Sequence, residues 1–535
     1  MSRKRTYNLS DLFQIVVETK PDDEALVCGD KRLTYRQIEE RSTQLALWLR
    51  AKGIVAGDTV GIHAFNCSEY VEICMAAFKL KAIPVNINFR YTVEELRYLY
   101  DNADLKALIY SAALEPLAEG AMSSAPGLRA IASIGGAKPT IKGTVNYEDA
   151  LASASGSLDD IVLSDDDLML LYTGGTTGMP KGVIWPHKAI FYAGFGGGGN
   201  FHPDGPIKAP EELVSRVKEG FYMKLLPTAP LMHGAGLWAT LIGLYAGHTV
   251  FINENPGFDP VHILDKIVKE EISCMMIVGD AMGIPMLETL KANPGRWDLS
   301  SLMAISSAGA LFSEHVQNAL KEFLPPYTRI INSMGSSETG QAGTGAKPAT
   351  EGLISLARNE TTDVAVDGVR FAKPGEMGIL VRMGYLPLGY FKDPKKTAET
   401  FVTVDGQRWA IPGDYATVEA DGMVTVLGRG SVCINSGGEK IFPEEVESVL
   451  KSHPAVFDAL VVGVPDERWG NRVAAVVQFR PGQQASLEEL AAHCRTHIAG
   501  YKVPRELHPV QQVRRSPSGK PDYPWAQHLA RETQG

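Results

Sequence analysis

Between residues 22 and 110 short apolar runs alternate with longer amphipathic stretches, and this alternation restricts the fold more than any other feature of the chain. EALVCGD reads as a strand, and LTYRQIEERSTQLALWLRAKG follows as a helix. Thr34 and Gln37 stand at the separation at which a hydroxyl caps a helix start and an amide side chain reaches back. GDTVGIHAFN, CSEYVEICMAAFKLKAI and DLKALIY continue the pattern. Strands so short and apolar are buried on both faces, and the intervening helices cover them, so the fold class is α/β. The alternation runs through EISCMMIVGD and SLMAISSAGA to about residue 385, after which a glycine- and turn-rich stretch predicts short antiparallel strands.

At 535 residues the chain exceeds the roughly 100–200 of one domain, so a large multi-lobed body is expected with at least one appendage. From Pro443 a compact α+β unit is predicted: PEEVESVLKSHP as helix, VFDALVVGVPD and NRVAAVVQFR as strands, SLEELAAHCRTHIAG as helix. The glycine-bearing GRGSVCINSGG between the two apolar cores is suited to absorbing backbone rotation. Residues 1–428 are therefore expected to form the large N-terminal domain and 429–535 a small mobile one, with a hinge near 429–431.

A net charge of −10 supplies no field for holding a nucleic acid backbone. The six cysteines, at 28, 67, 74, 274, 433 and 494, show neither CxxC nor metal-ligand spacing, which fits a reducing cytoplasm. MSRKRTYNLSDLFQ is basic but leads into no apolar run, and GAGLWATLIGLYAG, 14 residues between His233 and His248, is too short for a bilayer, so no integral membrane segment is expected. Peripheral contact with a lipid surface would leave no such anchor, and a homodimer is expected only as the commonest assembly.

Glycine is in excess, 53 of 535 against a usual ~7%. In LMLLYTGGTTGMPKG, residues 168–182, an apolar run empties into Gly174, Gly175 and Gly178 with Thr173, Thr176, Thr177 and Lys181. Bare backbone amides, hydroxyls and one ammonium make an anion-wrapping loop, although Pro180 and Gly182 around the lysine exclude a Walker A motif. In INSMGSSETG, Glu338 is a hard oxygen ligand that would suit Mg2+ shared with phosphates, or an ordinary surface acid. Asp414 and Arg429, fifteen residues apart, pair an acceptor with a donor fork suited to ribose hydroxyls. Lys520 in SPSGKPDY sits on a turn shaped by Ser518 and Gly519; the residues alone favour an exposed turn lysine over a cation presented across a cleft. His233 in PLMHGAG is a satisfied buried histidine or a pocket wall. SSAGA, through Ala310, leaves room for a flat ring or is close core packing, and GFGGGGNFHPDG, 194–205, is a mobile surface connection or a loop bordering a pocket.

In this order YTGGTTGMPKG, PLMHGAG, SSAGA, NSMGSSETG, PGD, GRGSVCINSGGEKIFPEEVE and SPSGK resemble the adenylate-forming superfamily of acyl-CoA synthetases and firefly luciferase, over about residues 165–520. The resemblance implies a large adenylation domain, a C-domain that rotates between half-reactions, and ATP, Mg2+ and coenzyme A as cofactors and substrates. It implies that Thr173, Gly174, Gly175, Thr176, Thr177, Gly178 and Lys181 hold phosphates and that Glu338 places the metal. Ser307, Gly309 and Ala310, with Asn332, Ser333, Met334, Gly335 and Ser337, would line the nucleotide and acyl pocket, and Asp414 and Arg429 would clamp ribose. Lys520 would stabilise the reacting phosphoryl centre, His233 would border the carboxylate, and Gly437 and Gly438 would line the thiol tunnel. The family often has Thr at the positions of Ser337 and Pro412, and Asp or Lys at that of Ser431; Ser337 keeps the hydroxyl, whereas Pro412 has neither hydroxyl nor amide donor. The GRGS hinge looks like that of actinobacterial fatty-acid and steroid-side-chain CoA synthetases. The implied function is an AMP-forming acyl-CoA synthetase for a medium-chain, long-chain or alicyclic acid. An aromatic acid, a carrier-protein acceptor and a noncatalytic acyl- or nucleotide-binding protein are the alternatives.

Overall fold

The computed structural model describes residues 4–136, 138–175, 178–310, 312–346, 353–366, 370–436, 439–466, 468–515 and 520–532. The expected alternation is present. Glu24–Cys28 is a strand, Tyr35–Ala51 a helix, Thr59–His63 a strand, Ser68–Lys79 a helix and Leu105–Ser111 a strand. Thr34 caps its helix by accepting from the Gln37 amide while the Gln37 side chain accepts from the Thr34 amide.

The body is built on two sheets. In one, Thr59–His63 lies between the parallel strands Ile83–Asn86 and Leu105–Ser111, and Leu168–Gly175 joins beyond Ile83–Asn86. In the other, Glu24–Cys28, Thr249–Ile252, Lys224–Pro227, Cys274–Ile277, Ala304–Ala308 and Arg329–Ser336 run parallel in that spatial order. The helix Ser68–Lys79 has every residue except Glu69 buried, because it is enclosed by strands of both sheets. Pairing turns antiparallel at Gly340–Ala346 and stays so through Ile354–Ala357, Met423–Arg429, Asp414–Val418 and Met377–Arg382. The change of architecture thus falls well before the expected position near residue 385, since the strand after Glu338 returns by a tight turn with no crossover helix.

Two glycine-rich segments take definite form. The apolar run at 168 is a strand, Leu168–Gly175, which pairs with Gly178–Pro186 in a hairpin and places Thr173 opposite Lys181. The glycine run at 194–205 is a connection that packs on itself. Gly197 is buried, and a Cβ on Gly199 would lie 2.2 Å from the Gly205 carbonyl carbon, so the loop closes on its own backbone.

The C-terminal domain has its own core. Strands Val456–Asp466, Gly470–Phe479 and Glu506–Val510 form a sheet covered by helices Pro443–Ser452, Leu487–Arg495 and Tyr523–Glu532. The third strand and the last helix were not anticipated from sequence. Among the described residues no helix is long and apolar enough to cross a membrane.

Candidate functional site

The site is assembled where the parallel strands end. Asn86, at the end of Ile83–Asn86, accepts from the Tyr172 amide at 2.7 Å and donates to the carbonyls of Tyr172 at 2.9 Å and Met232 at 2.6 Å. One buried amide side chain thereby fixes the strand leading to Thr173 against the turn leading to His233. The backbone of Gly174, Gly175 and Gly178 lies in the hairpin, whereas Thr176 and Thr177 at its tip, like Gly437, Gly438, Ser518 and Gly519, lie outside the described residues.

Lys181 is already engaged: its Nζ donates to Asp393 Oδ2 at 2.6 Å and sits 5.8 Å from the centroid of the Tyr390 ring. Asp393 also caps the helix Pro394–Thr400 by accepting from the Lys396 amide at 2.9 Å. The lysine, then that amide, hold the Asp393 carboxyl below its ordinary range. The Tyr390 hydroxyl donates to Glu338 Oε1 at 2.9 Å, and burial together with that carboxylate pushes the phenol up.

Glu338 lies on the turn between Arg329–Ser336 and Gly340–Ala346. Its amide donates to Ser336 Oγ at 3.2 Å, Ser336 N donates to Thr339 Oγ1 at 3.0 Å, and Trp185 Nε1 donates to the Ser337 carbonyl at 2.8 Å. The Trp185 bond ties the turn to the Lys181 hairpin. Parallel register sets Ser307 beside Asn332 and Ala308 beside Ser333, so the two small-residue motifs are neighbours. Asn332 Oδ1 is buried with no hydrogen-bond partner among the described residues, while Ser307 Oγ is taken up by the Gly279 amide at 3.0 Å. Ser307 therefore contributes backbone rather than hydroxyl to any pocket wall. Gly309 turns the chain with φ of 86°. Met334 and Gly335 continue the strand toward Glu338.

Asp414 and Arg429 are register partners on adjacent antiparallel strands, with Oδ1 and Nε 3.5 Å apart. Burial pushes the Asp414 carboxyl up, as does Glu338, against the opposing pull of Arg429 and Lys520. Lys520 is an exposed residue whose ammonium pKa is lowered by desolvation and then by Arg429, while Glu338 and Asp414 oppose the shift. His233, directly before the helix Gly234–Tyr245, has its Nε2 buried without a partner among the described residues. Burial, then Lys520 and Arg90, lowers its pKa to about 4, so the imidazole is neutral at ordinary pH. Lys520, Arg429, Asp414, Glu338 and His233, spread over nearly 300 residues of sequence, thus share one electrostatic environment. It combines a cation from the small domain, an acceptor–donor pair, a carboxylate and an uncharged imidazole, a set able to bind a polyanion and neutralise charge developing on it.

A single Glu338 carboxylate is a sufficient protein share for Mg2+, which takes most of its ligands from water and phosphate. Its hydrogen bond from the neutral phenol of Tyr390 leaves the charge in place, so the residues present fit that ion.

Asn86, Tyr390, Asp393 and Trp185 were not singled out from sequence. An asparagine inside the apolar PVNINF was the one signal available for the first; Asp393 before Pro394 signals a helix cap but not a lysine partner.

A family model described as AMP-binding enzyme matches residues 13–381, and one described as AMP-binding enzyme C-terminal domain matches 445–520. The chain is 45% identical over 532 residues to a medium/long-chain-fatty-acid--CoA/3-oxocholest-4-en-26-oate--CoA ligase of Mycobacterium marinum, covering 97% of this chain and 96% of that one. It is 43% identical over 531 residues to a 3-oxocholest-4-en-26-oate--CoA ligase of Rhodococcus rhodochrous, covering 97% and 95%. The crystal structure of the anthranilate CoA ligase AuaEII in complex with anthranoyl-AMP superposes with a TM-score of 0.85 over 98% of both chains at 24% identity, a likeness of fold.

Proposed function

Because this chain belongs to the AMP-binding enzyme family, we propose that it is an AMP-forming acyl-CoA synthetase that activates medium- or long-chain fatty acids and alicyclic side-chain acids of the steroid type. The observation that carries this reading is the likeness, over 97% of the chain, to medium/long-chain-fatty-acid and 3-oxocholest-4-en-26-oate CoA ligases.

In the first half-reaction a substrate carboxylate oxygen attacks the α-phosphorus of ATP; the bond to the bridging oxygen breaks, and pyrophosphate leaves. Lys520 neutralises the charge that builds on the α-phosphoryl oxygens, a stabilisation strongest where water is excluded. The Thr173–Lys181 hairpin holds the β- and γ-phosphates, and Lys181 exchanges part of its bond to Asp393 for them. Asp414 and Arg429 engage the ribose hydroxyls, and the unpartnered Oδ1 of Asn332 is an acceptor for the exocyclic amine of adenine. His233, uncharged, walls the carboxylate without protonating it. Mg2+ held by Glu338 would supply charge neutralisation at the phosphates.

In the second half-reaction the CoA sulfur attacks the acyl carbon and AMP departs with the bonding pair. For this the small domain, residues 429–535, rotates about 429–431, withdraws Lys520 and brings Gly437 and Gly438 beside the pantetheine arm. Gly430, inside the proposed hinge, lies against Tyr415, where a Cβ would approach Cε2 to 2.6 Å and push the ring aside.

The test is an ATP-dependent panel of fatty, steroid-side-chain and aromatic acids, with free CoA and a phosphopantetheine-loaded carrier protein as acceptors, AMP and thioester being detected separately. Fatty and steroid acids should yield AMP, pyrophosphate and acyl-CoA. A panel in which no acid converts ATP to AMP sinks the proposal.

A further inference from the structure

The two domains meet through a buried ion pair that none of the nucleotide chemistry uses. Lys451, on the helix Pro443–Ser452, donates from Nζ to Asp280 Oδ2 at 2.8 Å; Asp280 belongs to the helix Gly279–Ala292 of the large body. The two side chains are only 4% and 5% exposed. Asp280 Oδ1 accepts from the Ser313 amide at 2.8 Å and from its hydroxyl at 2.9 Å, so both carboxylate oxygens have partners. Burial opposes the charge on Asp280, but Lys451 and the Ser313 amide more than reverse it, and the carboxyl is held below its ordinary range. Nearby, Phe457 of the small domain packs on the apolar cluster formed by Val316 and its neighbours, and Arg480 reaches Glu288 at 2.8 Å at the more exposed rim.

The pair is connected to the Lys520 turn through charge and hydrogen bonds. Asp458 and Glu447 lie beside Lys451. Arg515 grips Asp458 with two bonds of 2.7 Å, and Tyr523 lies near Glu447. Arg515 and Pro521 then bridge each other, closing the turn on which Lys520 stands. At the other end of the same helix Glu444 packs against the strand Met423–Arg429, where a Cβ on Gly428 would meet its Oε2 at 2.4 Å. One helix thus touches both the strand that ends at the ribose-side arginine and, through Lys451, Asp280.

A buried ion pair is stable only while its partners face each other; removing one leaves an uncompensated charge in a medium that solvates it poorly. A C-domain rotation separates Lys451 from Asp280 and exposes both to water. The pair therefore fixes the register of the docked arrangement, and removing either partner leaves a buried unpaired charge that disfavours this arrangement relative to a rotated one.

We propose that Asp280 and Lys451 are positioning residues for the adenylate-forming step, holding the small domain so that Lys520 reaches the α-phosphoryl site and parting before thioester formation. This rests on the AMP-forming reading above.

The test measures the half-reactions separately: pyrophosphate release from ATP and acid, and thioester formation from supplied acyl-adenylate and CoA. Lys451→Met and Asp280→Asn should slow the first by roughly tenfold or more at saturating ATP, the size of a population shift away from the closed state, and leave the second unchanged or faster. Lys451→Arg should retain most of the first, and Arg480→Ala, at the rim, should alter neither. Asp280→Asn keeps an acceptor for Ser313 and serves as the readout if Lys451→Met fails to fold. Equal losses in both half-reactions, or no loss in either, overturn the proposal while wild type remains active in both. A wild-type protein that forms no adenylate from any acid overturns the functional reading and this one with it.

Discussion

The phenol of Tyr390 donates to Glu338 Oε1 across 2.9 Å while its ring lies 5.8 Å from the ammonium of Lys181. One aromatic residue thus braces the acidic turn against the phosphate hairpin. The bond fixes which way the Glu338 carboxylate faces, and a hydrogen bond to a charged group contributes about 1.5–3 kcal/mol. Tyr390→Phe keeps the ring and removes the donor; adenylation at limiting Mg2+ should fall about tenfold and recover as the metal is raised. Glu338→Gln should lose activity that added metal does not restore. Initial rates titrated against Mg2+ separate the two, and a Tyr390→Phe curve that superposes on wild type refutes the brace.

Desolvation and then Arg429 lower the Lys520 ammonium pKa, against the pull of Glu338 and Asp414, and a bound polyphosphate would oppose the shift further. Lys520→Ala should cut adenylate formation by about 10²–10³, the range for loss of one transition-state donor, and spare thioester formation from supplied acyl-adenylate. Lys520→Arg should rescue little, since a planar fork does not replace a compact ammonium as a point charge on the phosphoryl oxygens. Single-turnover measurement of each step decides; an equal loss in both steps would mean that the lysine acts on the fold rather than on the phosphoryl group.

What the sequence revealed follows from the range of the interactions involved. The helix beginning at Thr34 is written locally, in the apolar period and the Thr34–Gln37 box, and it formed as read. Sheet membership is not local. Glu24–Cys28 pairs with Thr249–Ile252 across more than 200 residues, while the next parallel strand, Thr59–His63, belongs to the other sheet, and both carry the same apolar signature. The fifteen-residue interval between Asp414 and Arg429 is weak evidence by itself; a hairpin returns the chain over that distance and makes them register partners, and nothing in either residue announced the turn. Asn86, Tyr390 and Asp393 escaped notice because each acts through a partner remote in sequence. The run at Gly196–Gly199 was ambiguous for a related reason: glycine suits many loop conformations, and the approach of Gly199 to the Gly205 backbone is a contact the composition does not reveal.

Gly340, two residues after Glu338, has φ of 68°, and a Cβ there would lie 2.6 Å from the Ala193 carbonyl oxygen and 2.7 Å from its carbon. Backbone cannot retreat as a side-chain tip can. Gly340→Ala should destabilise the body by at least about 2 kcal/mol, combining left-handed strain with a clash, and should lower the thermal midpoint by several degrees or abolish soluble expression. Gly343→Ala is the control, since its Cβ would meet nothing closer than Leu356 Cδ2 at 3.4 Å. Equal midpoints for the two variants would show that the Glu338 turn tolerates displacement.

Four buried histidines set the response to acid. Burial lowers His63 and His233 to about 4 and His187 and His248 to about 3. All four values lie below the ordinary ~6.5 of an unfolded chain, so between that pH and the folded values the unfolded state binds more protons, and stability falls as pH is lowered. Each contributes a slope approaching about 1.4 kcal/mol per pH unit inside its window. His248 isolates the effect, because neither ring nitrogen has a hydrogen-bond partner among the described residues, its ring packs on Phe201 with centroids 4.7 Å apart, and it is not part of the nucleotide site. His248→Leu removes the protonatable group and keeps the site apolar, so the thermal midpoint should fall less steeply from pH 6.5 to 4.5 than in wild type. At pH 8, where the histidine is already neutral, the two should differ only by the packing change. Parallel midpoint-versus-pH curves would show that proton uptake by His248 does not drive the acid loss.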